Sequence, residues 1–138
     1  MSRNWFHDMV TMHQKYGVDK WMEKEKNSEW CRLRTFMNFR INMMQEELDE
    51  TKAAVKNKDP EEIVDGIIDL CVFAIGTLEV FGVDANKAWD KVYHANMSKE
   101  VGIKKGRPNP LGLPDLVKPE DWKAPSHEGN HGNISDSF

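Results

Sequence analysis

The sequence predicts an all-α fold, a four-helix bundle with an extended C-terminal arm, on three observations. Apolar side chains recur every three or four residues from Trp30 to Val55, the spacing of one helix face. Asp59-Pro60-Glu61-Glu62 comes next. It is a strong helix start, with Asp as cap, Pro at the first position and Glu at the third. Nowhere does alternation of apolar and polar residues mark a convincing strand.

The first helix is expected from Trp5 to Lys15, because Trp5, Met9 and Met12 repeat at helical spacing. Asn4 can cap its start and Gly17 can stop it. Val18 to Ser28 reads as a charged connector without a clear period, with Trp21 tucked onto the core. The second helix is expected from Glu29 to Lys56 with Ser28 as its cap. Its apolar stripe is Trp30, Leu33, Met37, Ile41, Met44, Leu48, Thr51 and Val55. The third runs from Pro60 to Phe81-Gly82. It is apolar on nearly every side, which reads as a buried helix. A fourth, capped by Asp84, covers Ala85 to Lys99. Three regions follow: a helical catalytic domain over 1–101, an arm over 102–125 rich in Gly and Pro, and a polar tail over 126–138 expected to be disordered.

The 138 residues suit one domain with a sizeable core. A formal net charge of −4 argues against a nucleic-acid partner. The longest apolar run is too short and too broken by acids to span a membrane. Cys31 and Cys71 stand alone, which points to a reducing cytoplasmic setting rather than a disulfide framework.

Two acid clusters flank the link between the second and third helices. Glu46, Glu47 and Glu50 lie within one turn, and Glu62, Asp65 and Asp69 line one stripe of the next helix. A short link makes the two helices antiparallel neighbours, so the clusters can face each other. A carboxylate entering an apolar wall is normally paired or metal-bound. Converging carboxylates suit a hard divalent cation. Such a cation would neutralise phosphate charge, and a spare carboxylate would orient water. Cations for phosphate oxygens are Arg40, Lys91, Lys99, Lys104, Lys105 and Arg107. Trp5, Phe6 and Trp30 are candidates for a base pocket. EExxE alone also fits a solvated helix face, and Glu62 alone a capping residue.

The chain resembles the MazG-like all-α nucleoside triphosphate pyrophosphohydrolases. These are related to dimeric dUTPases and phosphoribosyl-ATP pyrophosphohydrolase, and small cyanophage members are the nearest likeness. The pattern EExxE followed by ExxD stands as Glu46-Glu47-Leu48-Asp49-Glu50 and Glu62-Ile63-Val64-Asp65. VTMHQKYGV near the start and HANMSK at 94–99 are similar to the family's first and last helices. The resemblance spans residues 5–118. It implies Mg²⁺, with Mn²⁺ as a substitute, held by Glu47, Glu50, Glu62, Asp65 and Asp69. It implies catalytic roles for Glu46, Glu47 and Glu50, and nucleotide contacts from Asn96 and Lys99. It also implies cleavage of (d)NTP to (d)NMP and pyrophosphate, in a homodimer or homotetramer. Gly66 departs from the pattern if Asp69 is taken as its final Asp, so Asp69 is read as an additional ligand. The rival from another class is an inert helical module that uses the long second helix to dimerise.

Overall fold

A computed structural model describes residues 3–28, 31–107 and 109–138. Five α-helices dominate: α1 (Trp5–Tyr16), α2 (Val18–Glu25), α3 (Leu33–Lys56), α4 (Pro60–Val80) and α5 (Ala85–Met97). They divide between two compact units, Met1–Ala85 with Gly129–Phe138, and Asn86–Glu128. The all-α expectation holds, with two additions. One is a pair of three-residue antiparallel strands, β1 (Glu100–Gly102) at the entry to the arm and β2 (Asp115–Val117) within it. The other is a turn of 3-10 helix over Ile134–Ser137.

Helix ends follow local chemistry. Asn4 accepts a hydrogen bond from the His7 amide at 3.2 Å, and Gly17 closes α1 at φ +76°, a conformation that costs glycine little. Asp59 accepts from the Glu62 amide at 3.2 Å, with Pro60 in the first turn of α4.

The stretch read as a connector is helix α2. Its inward positions are Val18, Trp21, Met22 and Glu25, which is helical spacing with a carboxylate in the fourth slot. The buried Glu25 accepts from the Arg32 backbone amide at 2.9 Å and pairs with its guanidinium at 2.8 Å. That bond also satisfies an amide at the entry to α3, which starts at Leu33 rather than Glu29. Glu29 and Trp30 lie outside the described residues, so those parts of the expected helix and base pocket are not placed.

The inward stripe of α3 keeps Leu33, Met37, Met44 and Thr51 of the expected one but not Ile41, Leu48 or Val55. Leu33, Phe36, Met37, Arg40, Glu47, Thr51 and Ala54 are buried or half-buried, while Ile41, Leu48 and Val55 are exposed. Helix α4 is not buried on every side. Val64, Ile67 and Ile68 face outward, Asp65 is exposed and Asp69 half-buried. The apolar core gathers where α2, the start of α3 and the end of α4 meet: Met22, Leu33, Val80 and Phe81, with Trp21 4.8 Å from Phe36 between ring centroids. Leu33 lies fourteen residues before Glu47, about 20 Å along a helix at ~1.5 Å per residue. The core therefore anchors one end of the α3–α4 hairpin and leaves the other end free for polar chemistry.

The tail expected to be disordered is docked over 129–138. The Asn130 side chain donates to the Asp84 carbonyl at 2.9 Å and accepts from the Asp84 amide at 2.8 Å. The Asn133 amide donates to the Phe81 carbonyl at 2.8 Å, Ile134 packs on the core and Ser137 is buried. Asparagine side chains replace the apolar pattern that would have announced this contact. In the second unit, the Trp122 indole N–H donates to the Ala95 carbonyl at 2.7 Å.

Candidate active site

The acidic site forms because α3 and α4 pack antiparallel across the three-residue link 57–59. Glu47 sits on the inward stripe of α3, half-buried, and Asp69 is half-buried on α4. Glu46, Glu50, Glu62 and Asp65 are exposed around them. Partial burial pushes the Glu47 carboxyl above the ordinary carboxylate range, and the charges of Glu50, Asp69, Asp65 and Glu46 push it further. Both effects disfavour the ionised form. Four of the other five predicted acids thus lie near enough to Glu47 for their charges to act on it. Glu62 is one turn of α4 before Asp65, with its amide in the helix cap.

Among the described residues no Lys, Arg or His forms an ion pair with these six acids. Among the same residues no three acid, His or Cys side chains stand in position to hold a metal ion. The donor set itself, carboxylate oxygens on two facing helices, fits a hard cation.

Thr51 of α3 and Gly66 of α4 meet where the two helices pack. The Thr51 hydroxyl donates to the Glu47 carbonyl at 2.7 Å. A Cβ at position 66 would lie 2.3 Å from that hydroxyl oxygen. Glycine is the residue that lets the backbones meet here. This accounts for the glycine beside Asp65.

Arg40 lies elsewhere than on a phosphate-facing surface. It is 8% exposed, with its guanidinium carbon 5.1 Å from the Phe36 ring centre and 5.9 Å from that of Phe73. Its Nη2 lies 3.4 Å from His13 Nε2, while His13 Nδ1 meets the Glu79 carboxylate. Burial pushes the Arg40 guanidinium below its usual value, and Glu79 opposes that shift. The three side chains tie α1, α3 and α4 together. The signal for this cluster was Glu79, an isolated acid in the apolar half of α4.

Lys91 and Asn96 are exposed on α5, and the Lys99 ammonium lies 5.4 Å from the centre of the Trp122 ring. All three belong to the second unit. In the arm, the Lys104 amide donates to Asp115 at 3.0 Å, and the Arg107 guanidinium lies 4.0 Å from the same carboxylate. Of the aromatic candidates, Trp5 is 52% exposed and borders a cavity of about 230 Å³ between α1 and α4, lined also by Met9, Met12, Ile68 and Val72. Phe6 is half-buried beside His7.

Among the described residues no single helix is long and apolar enough to cross a membrane. Compared with known families, residues 18–96 match the model of phosphoribosyl-ATP pyrophosphohydrolase. That span runs from α2 through most of α5, and it contains all six acids. No curated protein and no solved structure matches.

Proposed function

Because the chain belongs to the phosphoribosyl-ATP pyrophosphohydrolase family, within the MazG-like all-α pyrophosphatases, we propose that it is a divalent-cation-dependent nucleoside triphosphate pyrophosphohydrolase. Its products would be a nucleoside monophosphate and pyrophosphate, with deoxynucleotides preferred. One observation carries the reading: a half-buried carboxylate, Glu47, crowded by four others with no cationic side chain among the described residues paired to them. A fold gains nothing from such crowding unless a bound cation offsets it.

Glu47, Glu50, Asp65 and Asp69, with Glu62 at the rim, would hold Mg²⁺, or Mn²⁺ in its place. When bound, the cation supplies charge neutralisation on phosphate oxygens and lowers the pKa of bound water. Glu46, on the outer flank of the same turn, orients the attacking water and accepts its proton. Water oxygen bonds to the α-phosphorus, the bond to the bridging oxygen breaks, and pyrophosphate leaves with the electron pair. Lys91, Asn96 and Lys99 are proposed nucleotide contacts on the strength of the family resemblance. Trp5, at the apolar cavity, offers a stacking face for the base. Arg40 acts from the core, holding α3 against α1, rather than on phosphate.

The exposed Ile41, Leu48, Val64, Ile67 and Ile68 favour a homodimer or homotetramer, in a cytoplasmic setting. Light scattering that finds a fully active monomer removes that part of the proposal.

The test is direct. The protein is incubated with Mg²⁺ and a panel of NTPs, dNTPs and phosphoribosyl-ATP, and the products are resolved by anion exchange. Monophosphate with pyrophosphate from a dNTP supports the reading. Turnover of phosphoribosyl-ATP alone moves the assignment to the substrate in the family's name. No turnover of any compound, with no Mg²⁺ effect on melting, favours the inert dimerisation module.

A further inference from the structure

We infer that Gly66 and Thr51 are positioning residues that set the width of the acidic site, and through it the affinity for the divalent cation proposed above. The inference rests on that reading, but its geometric half does not. Gly66 directly follows Asp65 and lies three residues before Asp69. Thr51 lies one turn after Glu47 and directly follows Glu50. The contact between Thr51 and Gly66 therefore stands among the acids of both helices.

The fit leaves no room for a methyl group. A Cβ at position 66 would fall 2.3 Å from Thr51 Oγ1, 3.5 Å from Thr51 Cβ and 3.7 Å from the Glu47 carbonyl oxygen. The last two are ordinary contacts, so the hydroxyl alone forbids the methyl. Turning that hydroxyl aside costs its hydrogen bond. It is held by its bond to the Glu47 carbonyl at 2.7 Å, on a β-branched side chain with restricted rotation. With that bond kept, alanine at 66 must part α3 from α4 by about 1 Å, the gap between 2.3 Å and an ordinary 3.4 Å contact. Mg²⁺ demands ligand distances near 2.1 Å in a nearly ideal octahedron and tolerates little displacement of its ligands. Carboxylates on the two helices would no longer reach one ion together.

Thr51 Oγ1 is also the atom whose removal restores the fit. In a Thr51→Ala background the nearest atom to a Cβ at 66 is the other Cβ, at 3.5 Å. The single substitution Gly66→Ala and the double substitution should therefore behave oppositely.

The experiment compares wild type, Gly66→Ala, Thr51→Ala and the double variant. Mg²⁺ and Mn²⁺ affinities come from isothermal titration calorimetry, and metal-free melting from far-UV circular dichroism. Gly66→Ala should bind cation roughly 10-fold more weakly or worse, the size met when a group supporting a ligand is lost. The double variant should return to the affinity of Thr51→Ala. Metal-free, Gly66→Ala should melt below wild type, although alanine is the better helix former. The double variant should melt above Thr51→Ala. A role in packing alone would lower melting and leave cation affinity unmoved. Wild-type affinity in Gly66→Ala, or no recovery in the double variant, overturns the inference. If wild type itself binds no cation, the reading of the site falls, and the melting order alone decides whether the crossing is as tight as described.

Discussion

Replacing Glu47 by Gln should move stability and activity in opposite directions. Glutamine keeps the shape of the side chain and removes its charge. In the metal-free protein Glu47 is repelled by Glu50 on its own helix and by Asp69 and Asp65 on α4. A like-charge pair at helical neighbour spacing costs about 0.2–0.5 kcal/mol. Glu47 and Glu50 form one such pair, and with comparable repulsion from Asp69 and Asp65 on α4 the total is on the order of 1 kcal/mol, which for a chain of this size is a rise in melting temperature of about 3–5 °C. The pH dependence has a definite sign. The folded protein holds the Glu47 proton more tightly than the unfolded chain does, so the repulsive cost is present above the folded pKa. It fades as pH falls through that value. The gap in melting temperature should therefore be widest near neutral pH in EDTA, narrow on acidification, and shrink in high salt. Turnover should fall by about 10²–10³-fold, as when one electrostatic contact to a transition state is lost. Differential scanning fluorimetry and a pyrophosphate-release assay on one preparation read both effects. A variant that melts lower, or one that turns over at the wild-type rate, would refute the crowding argument.

The other predictions concern the frame that carries the site. Glu25→Gln should destabilise at neutral pH, because Arg32 holds the Glu25 carboxyl below its ordinary value of 4.5. That contribution is present above 4.5 and is lost as pH falls through the folded value, so wild type and variant should converge in acid urea titrations. Asn130→Ala removes two hydrogen bonds to Asp84 and should cost about 1–3 kcal/mol in chemical denaturation; an unchanged midpoint would mean the tail contributes nothing. Gly132→Ala would place a Cβ 1.9 Å from the Phe81 carbonyl oxygen at a backbone φ of +53°. Hydrogen exchange at the Asn133 amide should then accelerate sharply, and wild-type protection there would contradict the docked tail.

The sequence was most legible where one physical rule acted alone. The start of α4 was plain because Asp59, Pro60 and Glu62 each follow local backbone chemistry. The acids of the site were legible because their spacing on each helix is fixed by the helix itself. Elsewhere tertiary partners replaced the expected residue type. In α2 a buried glutamate paired with Arg32 fills a position where periodicity looks for an apolar side chain. On α3, Arg40 and Glu47 take inward positions that Ile41 and Leu48 would be expected to fill. Asp65 and Asp69 stand in an apolar run along α4 that reads as a buried wall. In the folded chain Val64, Ile67 and Ile68 of that run are exposed. Gly66 looked like a defect in a motif until the neighbouring helix showed why the residue must be small. The docked tail was hidden because its contacts are amide hydrogen bonds, which leave no periodic trace.

The docking of residues 129–138 on Phe81 and Asp84 also bears on the order of folding. The unit that holds the acids is discontinuous, interrupted by the forty-three residues of Asn86–Glu128. During synthesis the α3–α4 hairpin can form early, since its contacts are local. Phe81 then waits for a covering segment that emerges only after the whole intervening unit. A ribosome adding ~5–20 residues per second leaves that surface open for seconds. In that interval the second unit has time to form on its own. Stalling or truncation inside 86–128 would therefore be felt as a fault in the acidic unit, tens of residues away in sequence.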